Sequence, residues 1–147
     1  MTDYSPERVE EFEHAVRREW YADGQILVIY MNQQSQASIT MWGKAFLEII
    51  ENWDQTRPMC TIAVFAGSAL TMPVSAREVG AQLLEGSKRM AHSYSAVVVE
   101  DQFSAQMANI VASGLTLRTR TRGHEIRVFS KLSAALDWQM KNLAKHD

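Results

Sequence analysis

Three features are scarce in this sequence, and each scarcity excludes a class of protein. There is one cysteine, Cys60, so the chain cannot form an internal disulfide, which fits a reducing compartment. No apolar run approaches the ~20 residues that a membrane-spanning helix needs, and the acidic N-terminus lacks the apolar core of a secretory signal. The net charge of −2 gives no overall attraction for nucleic acid or an anionic membrane. We therefore expect a cytoplasmic protein without nucleic-acid or membrane partners.

The apolar residues are arranged in short strand-like runs. The runs "ILVIYM", "MCTIAVFA" and "YSAVVVE" are continuously apolar, which is typical of strands buried on both faces of a sheet. The run "EIRVF" alternates with polar residues and indicates a strand at a sheet edge. Between "AVRREWY" and "ILVIYM" stands Asp23-Gly24, a dipeptide typical of tight hairpin turns.

Helical segments separate these strands. The clearest is "SQASITMWGKAFLEIIENW", whose apolar residues recur every three or four positions and for which Ser38 or Thr40 is the predicted cap. Two more follow, "SAREVGAQLLEGSKRM" and "DQFSAQMANIVASG". The last is "SKLSAALDWQMKNL", with Ser130 as its predicted cap and with inward residues Leu132, Leu136, Met140 and Leu143.

Strands that alternate with helices predict an α/β domain with right-handed crossovers. We expect a single domain at residues 15–147, with a mixed, mostly parallel sheet of about five strands, an N-terminal β-hairpin and about four helices. Residues 1–14 are predicted to form an N-terminal extension. Within it, "SPERVEEF" has the pattern of a short helix, with Pro6 at the first helical position, or of a frayed end.

Three pieces of the sequence carry a family resemblance: "YADGQILVIYM", "YSAVVVED" and "HEIRVFSKLSAALDWQM". Over residues 17–143 the chain resembles the STAS domain, and more closely its SpoIIAA-like bacterial relatives, a group similar in fold to CRAL-TRIO lipid-transfer domains. The resemblance implies a non-enzymatic interaction or regulatory module of unassigned process. The alternative that it implies is a small carrier of a hydrophobic, lipid-like ligand.

Ser75 is the residue on which the resemblance bears most directly. In the anti-sigma antagonist branch of the family, a serine near the start of the second main helix is phosphorylated, and Ser75 is the nearest positional match. However, "SARE" is also a capping box, in which Ser75 and Glu78 satisfy each other's backbone amides. Val74 and Ala76 depart from the family's motif. A helix cap is the simpler interpretation, and a phospho-switch is the alternative.

Three arginines form the second candidate site. If "RTRTR" is extended, Arg118, Arg120 and Arg122 share one face and form a candidate patch for an anion or an acidic partner. The alternative is a solvated edge that discourages aggregation. No aromatic residue is interleaved with the arginines, which argues against single-stranded nucleic acid as a ligand.

Neither metal nor cofactor chemistry is indicated. Cys60 is expected in the core, and no histidine pairs with it or with another histidine at ligand spacing; the histidines are His14, His92, His124 and His146. The candidate nucleophiles Ser68, Thr71 and Ser75 have no recognisable catalytic base at a motif spacing. We therefore expect that the protein is not an enzyme and has no cofactor.

Self-association is the remaining expectation. No crossover helix follows the N-terminal hairpin to cover it, so apolar residues such as Trp20 and Tyr21 are expected to be available for a homodimer interface. Met72 and Met90 flank the second helix. Core packing is the simpler interpretation of these methionines, and an oligomer interface or a pocket for a small apolar ligand is the alternative.

Overall fold

The computed structural model describes residues 4–32, 35–65, 82–83, 85–99 and 124–146. Within these residues, one sheet contains six strands in chain order: β1 (Arg8–Phe12), β2 (Val16–Tyr21), β3 (Ile26–Met31), β4 (Met59–Phe65), β5 (Ser93–Val99) and β6 (His124–Phe129). The first two pairings are antiparallel and the other three are parallel. The predicted α/β class and mixed, mostly parallel sheet with an N-terminal hairpin are confirmed, with six strands instead of about five.

Strand β1 is the additional strand, and it stands where "SPERVEEF" was expected to form a short helix or a frayed end. It pairs with β2 from Arg8 opposite Trp20 to Phe12 opposite Val16. The turn between the two strands contains His14 and Ala15 at positive φ. The segment forms a strand in spite of its helix-like sequence pattern, because β2 offers it a full row of backbone hydrogen-bonding groups. Residues 8–12, which fall inside the predicted extension, are part of the same sheet as the rest of the chain.

The hairpin predicted at Asp23-Gly24 is present between β2 and β3. Tyr21 pairs with Ile26, and the turn is closed by a 3.2 Å hydrogen bond from the Gln25 amide to the Ala22 carbonyl. Ala22, Asp23 and Gly24 all have positive φ. Aspartate and glycine tolerate this conformation better than most residues, which is why the dipeptide marks the turn.

Helix α1 (Gln36–Asn52) packs on one face of the sheet. Its predicted apolar face is confirmed, because Ile39, Trp42, Phe46 and Ile50 are all buried. The predicted cap is wrong: the Ser35 hydroxyl, and not Ser38 or Thr40, accepts a 3.1 Å hydrogen bond from the Ser38 amide. The Ser38 hydroxyl instead donates to the His14 carbonyl, because it is buried against the β1–β2 turn.

Helix α2 (Leu132–Ala144) packs on the opposite face, over β4, β5 and β6. Leu136 and Leu143 are buried as predicted, but Met140 is 42% exposed, so that part of the prediction is wrong. Ser130 does not cap the helix, whose N-cap is Lys131 without a side-chain hydrogen bond. The positions that face the sheet include two polar residues, Gln139 and Asn142, both fully buried.

Residues 82–83 and 85–87 are also helical and belong to the face that α1 covers. Met90 is only 2% exposed because it lies in the core cluster beneath α1, which agrees with core packing and not with the alternative of an exposed interface residue. The apolar faces of the hairpin were predicted to be available for an interface, and this prediction is wrong. Tyr21 is 6% exposed, and Trp20 is half-buried against Trp53. Across the described ranges, the large hydrophobic residues that are exposed are Val9 and Met140.

The N-terminal segment contacts both β2 and α2. The Glu7 amide donates a 2.8 Å hydrogen bond to the Trp20 carbonyl, and the Tyr4 hydroxyl donates to the Asp137 carboxylate on α2. Within the part of the chain that the structure describes, neither helix combines the length and the apolar character needed to cross a bilayer.

Candidate functional site

The site residues predicted from the sequence lie outside the described residues. Ser75 falls in the segment 66–81, with Ser68, Thr71 and Met72, and the three arginines Arg118, Arg120 and Arg122 fall in the segment 100–123. In the sequence these two segments directly follow β4 and β5. They thus follow the carboxyl ends of parallel strands, the edge at which α/β proteins usually bind ligands.

The described residues form two adjoining clefts at the opposite edge, where the parallel strands begin. The "tryptophan cleft", with a volume of about 200 Å³, is lined by Trp20, Gly24, Gln25, Ile49, Asn52, Trp53, Asp54, Arg57 and Pro58. The "histidine cleft", with a volume of about 220 Å³, is lined by Gln25, Gln55, Thr56, Arg57, Pro58, Ala91, His92, Leu143 and His146. The two clefts share Gln25, Arg57 and Pro58, so a single ligand can contact both.

Chain topology brings these residues together. Gln25, Pro58 and His92 each precede the first residue of a parallel strand, and strands of a parallel sheet begin at the same edge. Helix α2 runs back from the carboxyl end of β6 and delivers His146 to this edge, while the end of α1 delivers Trp53. No sequence motif marks the clefts. They could have been located from the sequence by taking the residue that precedes each predicted parallel strand.

Two stacked tryptophans form the wall of the tryptophan cleft. The rings of Trp20 and Trp53 lie with their centroids 6.3 Å apart and their planes at 22°. The Trp20 indole Nε1 donates a 2.7 Å hydrogen bond to Glu10 Oε1, which fixes the ring orientation. The Arg8 guanidinium lies over the same ring, with its central carbon 5.2 Å from the centroid. The cleft therefore has a rigid aromatic wall that is anchored to β1.

Glu10 connects this wall to a buried arginine. The Arg18 guanidinium, which is 6% exposed, donates at 2.9 Å to Glu10 Oε2 and at 3.0 Å to the Ala45 carbonyl of α1. Burial acts to raise the pKa of Glu10, but the hydrogen bonds from Trp20 and Arg18 outweigh it and hold the pKa below the ordinary value. The carboxylate is thus favoured in its charged form by the folded state.

Replacing Glu10 with glutamine is expected to lower the free energy of unfolding at pH 7 by about 1 kcal/mol, near the upper end for a partly exposed ion pair. Because the pKa of Glu10 is lower in the folded state, its contribution is complete above the ordinary value of 4.5 and is lost as pH falls through the lower folded value. Urea denaturation of both proteins at pH 7 and pH 3 measures this. The difference should shrink at pH 3, whereas Glu51→Gln, an exposed change on α1, should show no difference at either pH.

Three of the four histidines gather around the histidine cleft. The rings of His92 and His146 lie 4.4 Å apart between centroids. The Tyr94 hydroxyl is 2.8 Å from His146 Nε2, and the Ser93 hydroxyl is 2.7 Å from His124 Nδ1. Burial, together with the charges of His92 and Lys88, lowers the pKa of His124. No group of three or more histidine, cysteine, aspartate or glutamate side chains in the described ranges is arranged to hold a metal ion.

A separate polar cluster lies on the sheet face that α2 covers. The Glu19 carboxylate accepts hydrogen bonds from the hydroxyls of Tyr21 and Tyr30 at 2.9 and 2.8 Å, and Arg17 Nη2 lies 2.6 Å from its second oxygen. Cys60 belongs to the adjacent core and is fully buried, as predicted, and burial raises the pKa of its thiol to about 12. Glu19 and Cys60 are buried, whereas Arg17 is 39% exposed at the margin of the cluster.

Comparison of the chain with protein-family models, with curated proteins and with solved structures found no match.

Proposed function

We propose that the chain is a non-enzymatic interaction module of the STAS or SpoIIAA-like type, which acts by associating with protein and forms a homodimer through the outer edge of β1. The family resemblance of the sequence and the order of a hairpin followed by parallel strands support the class. The observation that carries self-association is the sheet edge itself. Among the described residues, β1 is paired on one side only, and it presents Val9, which is 42% exposed.

The sequence of β1 is complementary to itself. In an antiparallel pair of β1 strands centred on Val9, the two valines lie opposite each other, and Arg8 of each copy lies opposite Glu10 of the other. Opposite charges at directly opposed positions stabilise a strand pair, and a two-fold axis repeats each favourable contact. Charged side chains on an edge strand also discourage unspecific pairing. The arrangement therefore selects a second copy of the same strand over other edges.

One pair in this register is unfavourable and supplies a sharp test. Glu7 of one copy lies opposite Glu11 of the other, and like charges at opposed positions weaken pairing. Glu11→Lys should convert this repulsion into attraction and tighten the dimer severalfold, while Val9→Lys should abolish it. Met140→Lys is the matched control, because Met140 has the same 42% exposure as Val9 but lies on α2.

Analytical ultracentrifugation from 1 to 100 µM measures these expectations. The wild-type chain should show a concentration-dependent equilibrium between 16.7 kDa and twice that mass. Circular dichroism of each variant verifies that it is folded. A wild-type monomer throughout the range, or equal dimerisation of the Val9→Lys variant, would contradict the proposal.

A second candidate function follows from the tryptophan cleft. Its stacked indoles, with Ile49 and Pro58, offer an apolar environment for a small ligand. The volume of about 200 Å³ lies below the range of roughly 300–1,000 Å³ that ligand sites usually have, so the ligand would be a single-ring molecule and not a lipid chain. Native mass spectrometry of the purified protein tests this candidate: a small-molecule adduct lost on Trp53→Ala would favour it, and a bare protein would count against it.

A further inference from the structure

The histidine cleft has a lining that is rich in hydrogen-bond donors. Its polar side chains are one guanidinium, two imidazoles, two amides and one hydroxyl, contributed by Arg57, His92, His146, Gln25, Gln55 and Thr56. None of the nine described lining residues carries a carboxylate. Such a set matches a ligand that presents several acceptor oxygens and negative charge.

Arg57 is available for such a ligand. Its side chain is 60% exposed, and its ion pair with a described residue joins Nε to Asp54 Oδ2 at 3.7 Å, a long contact. The two terminal guanidinium nitrogens are not used in that pair. Because a guanidinium presents donors in a planar fork, these two nitrogens suit two oxygens of one phosphate or carboxylate group.

The two imidazoles are held in place on the other side of the cleft. The His92 and His146 rings contact each other, and the Tyr94 hydroxyl lies at hydrogen-bond distance from His146 Nε2. Burial raises the pKa of Tyr94, so its hydroxyl keeps its proton and can donate it to Nε2. Because Tyr94 engages Nε2, Nδ1 is the ring nitrogen of His146 that is left for contact with a ligand.

Side chains of both charges lie near the cleft without lining it. The Nζ of Lys145 lies 5.7 Å from the centroid of the Tyr94 ring. The charge of Lys88 contributes to the lowered pKa of His124. Two acids are nearby. Asp54 directs one carboxylate oxygen to the amide and hydroxyl of Thr56 and lines the tryptophan cleft instead. The charge of Glu125, at the start of β6, contributes to the raised pKa of Tyr94.

We propose that the histidine cleft binds a small oxyanion, of the phosphate class, between Arg57 and the pair of histidines. The volume of about 220 Å³ accommodates one tetrahedral oxyanion with a few waters. Because Gln25, Arg57 and Pro58 are shared with the tryptophan cleft, a phosphate attached to an aromatic ring would fill both clefts at once. This site is independent of the β1 edge and of self-association.

Isothermal titration of untagged protein with inorganic phosphate, in a low-salt buffer at pH 7, tests the proposal. We expect saturable binding with one site per chain and a dissociation constant in the millimolar range, roughly that of a small site with a few charged contacts. Sulfate should compete, and chloride at the same ionic strength should not. Phenyl phosphate should bind about tenfold more tightly than phosphate if the ring enters the tryptophan cleft, and equally if the anion alone is recognised.

Two variants distinguish binding at this site from a nonspecific electrostatic attraction of phosphate to the protein. Arg57→Gln should weaken phosphate binding at least tenfold, and because Arg57 is largely exposed the variant should fold. Lys131→Gln removes the same charge at the opposite edge of the sheet, before α2, and should leave the affinity unchanged. Thermal unfolding gives a second readout, in which phosphate raises the midpoint of the wild type but not of Arg57→Gln. Unsaturable binding, or equal losses in the two variants, would overturn the site.

Discussion

Replacing Glu19 with leucine is expected to lower the free energy of unfolding by about 3 kcal/mol, because one buried and one partly buried hydroxyl each lose an acceptor. The Glu19 side chain is 7% exposed and accepts hydrogen bonds from Tyr21 and Tyr30. Burial, assisted by the Glu19 carboxylate, raises the pKa of both tyrosines, so their hydroxyls remain protonated donors. Arg17 is 39% exposed and lies 3.8 Å from Glu11, so it keeps a partner when Glu19 is removed.

Urea denaturation of a small series of variants separates the hydrogen bonds from the packing. Glu19→Gln preserves an acceptor oxygen and should be about 1 kcal/mol less stable than the wild type, which is the loss expected when a charged acceptor becomes neutral. In the leucine background, Tyr21→Phe and Tyr30→Phe should add little further cost, because the hydroxyls are already unsatisfied. Wild-type stability in Glu19→Leu would show that the cluster does not stabilise the fold.

Replacing Gln139 with leucine is expected to cost about 2 kcal/mol, since it removes a fully buried group that satisfies several others. The Gln139 Nε2 donates to the carbonyls of Thr61 and Tyr94 at 2.9 and 2.8 Å, and its Oε1 accepts from Asn142 at 3.3 Å. Leucine fills a similar volume but leaves the Asn142 amide and both carbonyls without this partner.

Met140→Gln is the matched control for this change. It places the reverse substitution on the neighbouring, exposed position of the same helix and should alter stability by no more than about 0.5 kcal/mol. Thermal and urea unfolding of both variants measure the contrast. Equal stabilities for the two variants would show that the hydrogen bonds from α2 to the strand carbonyls contribute nothing.

The buried residues of α2 show why hydrophobic periodicity does not identify every residue that faces the sheet. The sequence pattern correctly places Leu136 and Leu143 inward, but it cannot show that Gln139 and Asn142 share that face or that Met140 lies outside. A glutamine is polar in any hydropathy pattern. Its burial is favourable only because two strand carbonyls lie within reach, and that proximity is created by the packing of α2 on β4 and β5.

The N-terminal segment illustrates the same difference. "RVEEF" has too few apolar residues for a buried strand, so its pattern allows a helix. The hydrogen-bonding groups at the edge of β2 decide the outcome, and β1 pairs with them. The sheet edge therefore moves to β1. The apolar surface predicted at Trp20 and Tyr21 is largely covered for another reason: Trp20 packs against Trp53, and Tyr21 lies in the core cluster beneath α2.

The sequence by itself determined the α/β class, the hairpin at Asp23-Gly24, the buried strands β3, β4 and β5, and the apolar face of α1, because each depends on local periodicity or turn geometry. Only the tertiary structure decided which residues form the clefts. Gln25, Arg57, His92 and His146 are far apart in the chain and follow no motif. They meet because parallel strands begin at one edge and α2 returns to that edge, a long-range arrangement that no local pattern encodes.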